Sequence, residues 1–302
     1  MTKQHKIGLV KVLETTTVVL AFINESWTFV EKVLSLFNIV PNYMTLSMST
    51  PSDWLHKFEI KTERWVFVPS KETLERGRQI HAYIKQKWKY PRYMFHLRNG
   101  GHVAAANFHL KSNYFSLIDV SDFYGATSQS RVTRELGRLV PYVKARQIAR
   151  LSTVANPNRN GFKHVIPYGY PQSPILASLC FHHSFCGGVI SSISKSERVF
   201  VSVYMDDILL SSDDMNLLVE AFDTVRQALR KSGYKVNENK TQSPSPKIQV
   251  FNLVLGHNHL RVTPKRIVEF LKVFISSANE HERKGIASYV GSINKSQAKL
   301  FR

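Results

Sequence analysis

The stretch Val199-Phe-Val-Ser-Val-Tyr-Met-Asp-Asp-Ile-Leu-Leu210 decides how the chain is read. β-Branched and apolar residues flank an acid pair, which predicts two strands joined by a tight turn with Asp206 and Asp207 at its tip. An Asp-Asp pair alone is ordinary turn chemistry, and Asp213-Asp214 is a second example. Upstream, Phe115 to Ser121 predicts a buried strand carrying Asp119, followed by Phe123, Tyr124 and a helix start at Thr127/Ser128. One long helix is expected after Pro171 and Pro174. Asp213 or Asp214 caps the next, where Leu218, Phe222, Val225 and Leu229 recur at helical spacing until Gly233 ends it. A single strand is expected over Ile248 to Leu255 and two short basic helices over the last 45 or so residues. Upstream again, residues 72–90 predict a cation-rich helix, and the first 60 residues read as one or two helices and a loop. The order predicts an α+β fold, a sheet with helices on one face.

Composition narrows the partners. The 302 residues carry 41 Lys and Arg against 22 Asp and Glu, a net charge of +19. With 43% hydrophobic residues the chain has apolar area enough for a core, which excludes a disordered protein. A surplus of this size points to phosphate, on nucleic acid or on an anionic membrane. The membrane reading fails on Gly8 to Asn24, which is short and interrupted by Lys11, Glu14 and three threonines. No secretory signal is read at the N-terminus, and two cysteines build no disulfide framework, so a cytoplasmic location is expected. Cys180-Phe-His-His-Ser-Phe-Cys186 holds soft ligands close together, but six residues is not a helical neighbour spacing. Core thiols are the expected reading.

Asp119, Asp206 and Asp207 together suggest more than turns. Transfer of a nucleotide needs charge neutralised on the attacking and leaving oxygens, and two divalent cations held by hard oxygen ligands on rigid elements do this. Tyr204-Met-Asp-Asp207 between apolar strands resembles the catalytic hairpin of reverse transcriptases. Asp119-Val-Ser-Asp-Phe-Tyr124 resembles their first acidic motif, and Ile166-Pro-Tyr-Gly-Tyr-Pro-Gln-Ser-Pro174 their Pro-Gln-Gly…Ser-Pro motif. Gly233-Tyr-Lys-Val-Asn237 with Lys240-Thr241, then Val254-Leu-Gly-His257, resemble the two motifs that close the palm. Within that family the compact bacterial enzymes, retrons and phage-defence relatives, are the most similar. Ala105-Ala-Asn-Phe-His109 resembles the retron Asn-Ala-x-x-His segment with Ala for Asn, and Val262-Thr-Pro264 their Val-Thr-Gly with Pro for Gly.

The resemblance implies a right-hand polymerase: a palm of ferredoxin-like antiparallel sheet plus helices, compact fingers and a short helical thumb. It places an N-terminal extension and fingers in residues 1–110 and the palm in 111–257, with a fingers insertion near 128–165. The thumb would be 258–302. Asp119, Asp206 and Asp207, with the Val120 carbonyl, would hold two Mg²⁺, or Mn²⁺ in their place. Val120, Phe123, Tyr124, Tyr168, Gly169, Lys71, Arg78 and Lys240 would contact the nucleotide, and Tyr204, Met205, Gly256 and His257 the primer and template. The Tyr124 ring would exclude a 2′-hydroxyl, favouring deoxynucleotides over ribonucleotides. Gly169 would admit the nascent base pair, and Lys240 would donate to, or neutralise, the leaving pyrophosphate. Tyr168 stands where the family has Gln; a phenol stacks but cannot offer an amide's paired donor and acceptor. The expected activity is RNA-directed DNA synthesis on an associated noncoding RNA in antiphage defence. Partners are that RNA, the DNA product and deoxynucleotides, with a second copy or an accessory protein besides. Alternatives are untemplated or protein-primed synthesis by the same site, and a non-catalytic nucleic-acid-binding subunit.

Overall fold

A computed structural model of the chain describes residues 53–61, 63–158 and 161–301. The sheet that carries the acid motifs has the order β6–β7–β3–β8, built from β3 (Tyr114–Ser121), β6 (Phe200–Tyr204), β7 (Asp207–Ser212) and β8 (Lys235–Val236). β9 (Gln242–Ser245) also pairs with β3, and every pairing is antiparallel. Alternation along the strands sorts the residues by face. Ile118, Val120, Val201, Val203, Ile208 and Leu210 enter the main core. The opposite parity carries Asp119, Ser202, Tyr204 and Asp207.

Helices cover the first face. α1 (Lys71–Lys87) is capped by Ser70, whose hydroxyl accepts the Thr73 N–H, so the cation-rich helix lies where its pattern predicts. α2 (Gly101–Phe108) precedes β3, and the insertion after β3 holds α3 (Gln129–Leu136), α4 (Tyr142–Leu151) and a small pair, β4 (Val154–Ala155) with β5 (His164–Val165). The one long helix expected next is two, α5 (Ser173–His182) and α6 (Phe185–Ile193), bent by 79°. Ser184 caps α6 through the Gly187 N–H, and a Cβ on Gly187 would stand 2.1 Å from the His182 carbonyl oxygen, so only glycine lets the second helix start there. α5 is largely buried and α6 buries Cys186, Gly187 and Ile190; among the described residues no single helix is long and apolar enough to cross a membrane. α7 (Met215–Lys231) buries Leu218, Phe222, Val225 and Leu229 as its spacing predicts. Asp214 caps it, while Asp213 accepts the Asn113 N–H, and Gly233 leaves it with φ +77°.

Two further sequence expectations are corrected. Residues 53–60 belong to no helix: β1 (Trp54–Lys61) pairs with β2 (Arg64–Pro69) as a hairpin; the rest of that N-terminal expectation lies outside the described residues. The single strand over 248–255 is also a hairpin, β10 (Lys247–Val250) and β11 (Leu253–Gly256). Phe251 (φ +55°) and Asn252 (φ +60°) make its two-residue turn, without the glycine that usually announces one. β12 (His259–Val262) completes this small sheet. α8 (Pro264–Ser276), α9 (Glu280–Ile293) and the short α10 (Lys295–Ala298) follow, Pro264 standing where a helix loses no N–H by it.

Candidate active site

The antiparallel register sets Asp119 of β3 directly opposite Asp207 of β7, and Asp207 opposite Tyr204 of β6. The three side chains therefore form one row across the sheet on the face away from the main core. Asp206 lies in the turn, and its carbonyl accepts the Val120 N–H at 2.8 Å, locking the turn to β3. Asp119 is buried and heavily engaged. Its Oδ1 accepts from Asn237 Nδ2 at 2.8 Å, and its Oδ2 from Lys240 Nζ at 3.1 Å. Thr241 Oγ1 accepts the Asp119 N–H. Burial, then the charge of Asp119, pushes Asp206 upward; burial, then Asp206 and Asp119, pushes Asp207 well above the carboxylate range.

This donor set is chemically suited to a hard divalent cation: clustered carboxylates that resist ionising together. It is not a closed cage, since among the described residues no three His, Cys, Asp or Glu side chains are arranged to ligate one ion. Lys240 supplies the cation at Asp119.

Beside the carboxylates lies a cavity of about 220 Å³ lined by Lys61, Glu63, Arg64, Ser121, Asp122, Asn237 and Lys240. Its cations come from the β1–β2 turn and from the segment after α7. Lys71 and Arg78, the cations chosen from sequence, do not line it: Lys71 is exposed at the start of α1 and Arg78 is half-buried along it. Arg64 is the residue the sequence reading missed. The polar turn between two aromatic-rich runs, Phe58-Glu-Ile-Lys61 and Arg64-Trp-Val-Phe-Val68, was the available signal.

The Arg64 guanidinium lies 5.2 Å from the Tyr168 ring, which in turn stands 4.6 Å from the ring of Tyr124. Tyr124 is 7% exposed, and its hydroxyl donates to Met205 Sδ at 3.8 Å. Gly169 has φ +103°, and a Cβ there would meet the Phe67 carbonyl oxygen at 2.2 Å; the close approach that demands glycine is to β2. The Phe67 N–H donates to the Tyr168 carbonyl at 2.9 Å, so the β1–β2 hairpin is docked on this loop. Phe123 packs into the core against Phe181 and Tyr234, and the Val120 side chain is buried too, which leaves both only backbone groups to offer a ligand.

Tyr204 is ringed by His96, His102 and Phe251. The tip of the β10–β11 hairpin therefore reaches the acid-bearing turn. Gly256 and His257 stand at the other end, where His257 Nδ1 lies 3.3 Å from the Ser112 carbonyl oxygen. Seven residues separate Ser112 from Asp119, roughly 20 Å of extended chain. His109 is fully buried, with Nδ1 2.7 Å from Ser211 Oγ and Nε2 2.8 Å from Ser202 Oγ, bridging β6 and β7 on the acid-bearing face, further along the strands. Cys180 and Cys186 are buried thiols, both pushed up to about 12 by burial.

Comparison with known proteins agrees with this geometry. The family model described as reverse transcriptase (RNA-dependent DNA polymerase) matches residues 53–272. The Retron Ec86 reverse transcriptase of Escherichia coli is 25% identical over 208 residues, covering 64% of this chain and 60% of that protein. The chain thus matches less than two thirds of that relative's length. Among solved structures, the foamy viral protease-reverse transcriptase with double-stranded DNA is 18% identical with a TM-score of 0.41, over 74% of this chain and 33% of that one. Telomerase from Candida tropicalis is 14% identical with a TM-score of 0.46, over 66% of this chain and 52% of that one. With the family model spanning the β1–β2 hairpin, the acid row and the start of α8, this chain belongs to the reverse transcriptase family and resembles the bacterial retron enzymes.

Proposed function

We propose that the chain is an RNA-directed DNA polymerase that joins deoxynucleotides to a 3′-hydroxyl, working on an associated noncoding RNA in antiphage defence. The observation that carries it is the row Tyr204–Asp207–Asp119 with Asp206 at its turn, joined through Asn237 and Lys240 to a cavity that Lys61 and Arg64 also line, beside Glu63 and Asp122. Asp119 and Asp206 would hold Mg²⁺, assisted by Asp207 and the Val120 carbonyl, and the ions would lower the charge on the reacting oxygens. The rest falls to the protein. Arg64, Lys61 and Lys240 face the triphosphate, a task for fixed guanidinium and ammonium donors. Lys240 is placed to neutralise the departing pyrophosphate. Tyr124, held by Met205 and Tyr168, forms the floor that a ribose 2′-hydroxyl would strike. Phe251 and Tyr204 offer the primer end an apolar ledge. The +19 charge supplies the sequence-independent hold on RNA template and DNA product. A cytoplasmic location suits this role.

A second mode of the same site is untemplated or protein-primed synthesis. Tyr168 favours it, because its ring is committed to Tyr124 and Arg64 and offers no amide edge. One experiment separates these readings: isolate the protein from cells with its bound nucleic acid, sequence RNA and DNA, and repeat with Asp206→Ala, Asp207→Ala. One discrete RNA with complementary DNA, lost in the variant, supports templated synthesis. DNA matching no RNA supports the second mode, and no aspartate-dependent DNA refutes both.

A further inference from the structure

The acid-bearing turn has an unusual backbone. Met205 adopts φ +55°, the left-handed region that a side chain disfavours, and Asp206 follows it directly. On one side the turn is held by the Val120 N–H to Asp206 carbonyl bond. What holds it on the other side is the segment Tyr93–His96.

That segment runs parallel to β6, the sheet's edge strand. The Val203 N–H donates to the Tyr93 carbonyl at 2.7 Å, and Met94 bridges Val203 in parallel register. A parallel ladder would next bring the Met205 N–H to the Phe95 carbonyl. That rung is missing, because the chain tightens into a 3₁₀ turn at Phe95–Leu97 and the Phe95 carbonyl accepts the Arg98 N–H instead. The His96 side chain fills the gap: the Met205 N–H donates to His96 Nδ1 at 3.1 Å. A backbone N–H can only donate, so Nδ1 carries the lone pair and the ring proton sits on Nε2. Nε2 lies 2.6 Å from Ser178 Oγ, on buried helix α5, and donates to it. The Tyr204 ring meets the imidazole edge-on at 5.9 Å.

We infer that His96 is a positioning residue for nucleotide addition: it spans from Ser178 to the Met205 N–H and fixes the left-handed turn that aims Asp206. This rests on the polymerase reading above. His96 touches no reacting atom in this role, and its effect passes through the turn. Because catalysis is sensitive to displacements of an ångström, loosening the turn slows the chemical step more than it weakens binding.

The test is primer extension by the full chain on a short primer–template, with His96→Ala, His96→Asn and His96→Gln. His96→Ala should lower kcat at least tenfold, with KM for deoxynucleotide and Kd for primer–template within about twofold of the parent. His96→Asn, whose amide oxygen reaches the Nδ1 position, should recover to within about threefold, whereas His96→Gln, whose amide mimics Nε2, should not. Equal activity of the Asn and Ala variants overturns the inference. So does an unchanged kcat, or a loss of primer–template affinity as large as the loss of rate. If His96→Ala does not fold, the Asn and Gln variants are compared directly: a kcat for His96→Gln several-fold below that of His96→Asn with unaltered binding supports the strut, and equal kcat values refute it. Asp206→Asn run alongside keeps the two questions apart, since extension that survives that change strikes the polymerase reading itself.

Discussion

His109 offers a sharp quantitative test of how the palm is held together. Its imidazole is fully buried between Ser202 and Ser211, and burial pulls it from 6.5 down to about 3. The folded state therefore keeps the ring neutral at pH values where the unfolded chain protonates it. A lowered folded pKa means this contribution is fully present above about pH 6.5 and is lost as the pH falls toward 3, because only the unfolded chain takes up the proton in that window. From those two values, the loss between pH 7 and pH 5 is roughly 2 kcal/mol, growing by about 1.4 kcal/mol for each further pH unit until the folded ring titrates. The perturbation is His109→Gln, which keeps an amide for the two serines but does not titrate. Urea unfolding of parent and variant at pH 7, 6 and 5 gives the difference directly. The variant is expected to be less stable at pH 7 and to close the gap by about 2 kcal/mol at pH 5. Parallel pH profiles for the two proteins would refute the reasoning.

Three further outcomes are expected. Tyr124→Ala should raise ribonucleotide use relative to deoxynucleotide by about tenfold or more, read as the ratio of kcat/KM values; an unchanged ratio removes Tyr124 from sugar selection. Arg64→Ala should raise KM for deoxynucleotide by about tenfold, the scale of one charge-assisted hydrogen bond, while Lys71→Ala leaves KM alone; the opposite pattern would return the triphosphate to α1. Gly169→Ala should cost about 2 kcal/mol or more in thermal or urea unfolding, since its Cβ meets the Phe67 carbonyl and its φ is +103°.

The catalytic hairpin was legible because its signal is local. Val201, Val203, Ile208 and Leu210 alternate into the core, and an acid pair between two such runs leaves little choice but a turn. The same holds for α7, whose buried residues recur at helical spacing. The β1–β2 hairpin was hidden for the converse reason: β1 exposes Leu55 and Ile60, so its pattern is not that of a half-buried strand, and its turn carries Glu63 at φ +64° instead of glycine. With the hairpin unread, Arg64 had no place near the acids, and attention went to the cations of α1. The β10–β11 turn on Phe251 and Asn252 hid in the same way, so the contact of Phe251 with Tyr204 was not read, while Gly256 and His257 lie at the other end of the hairpin. The His96–Met205 bond joins residues 109 apart, and no local periodicity announces such a pair.

The ion pair between Lys240 and Asp119 has a consequence for the protein's life before it meets substrate. Clustered carboxylates in a buried row would repel one another and strain a newly made chain, yet this site carries its own counterion on the segment after α7. Folding of the acid row would thereby not require a divalent ion to be present. The half-exposed ammonium would act as a tethered placeholder: it pairs with Asp119 in this structure, would give way to an ion bound there, and also lines the neighbouring cavity proposed for the triphosphate. On the proposed reading, loading the site would be an exchange of one cation for another, and the lysine arm so freed would lie beside the leaving group.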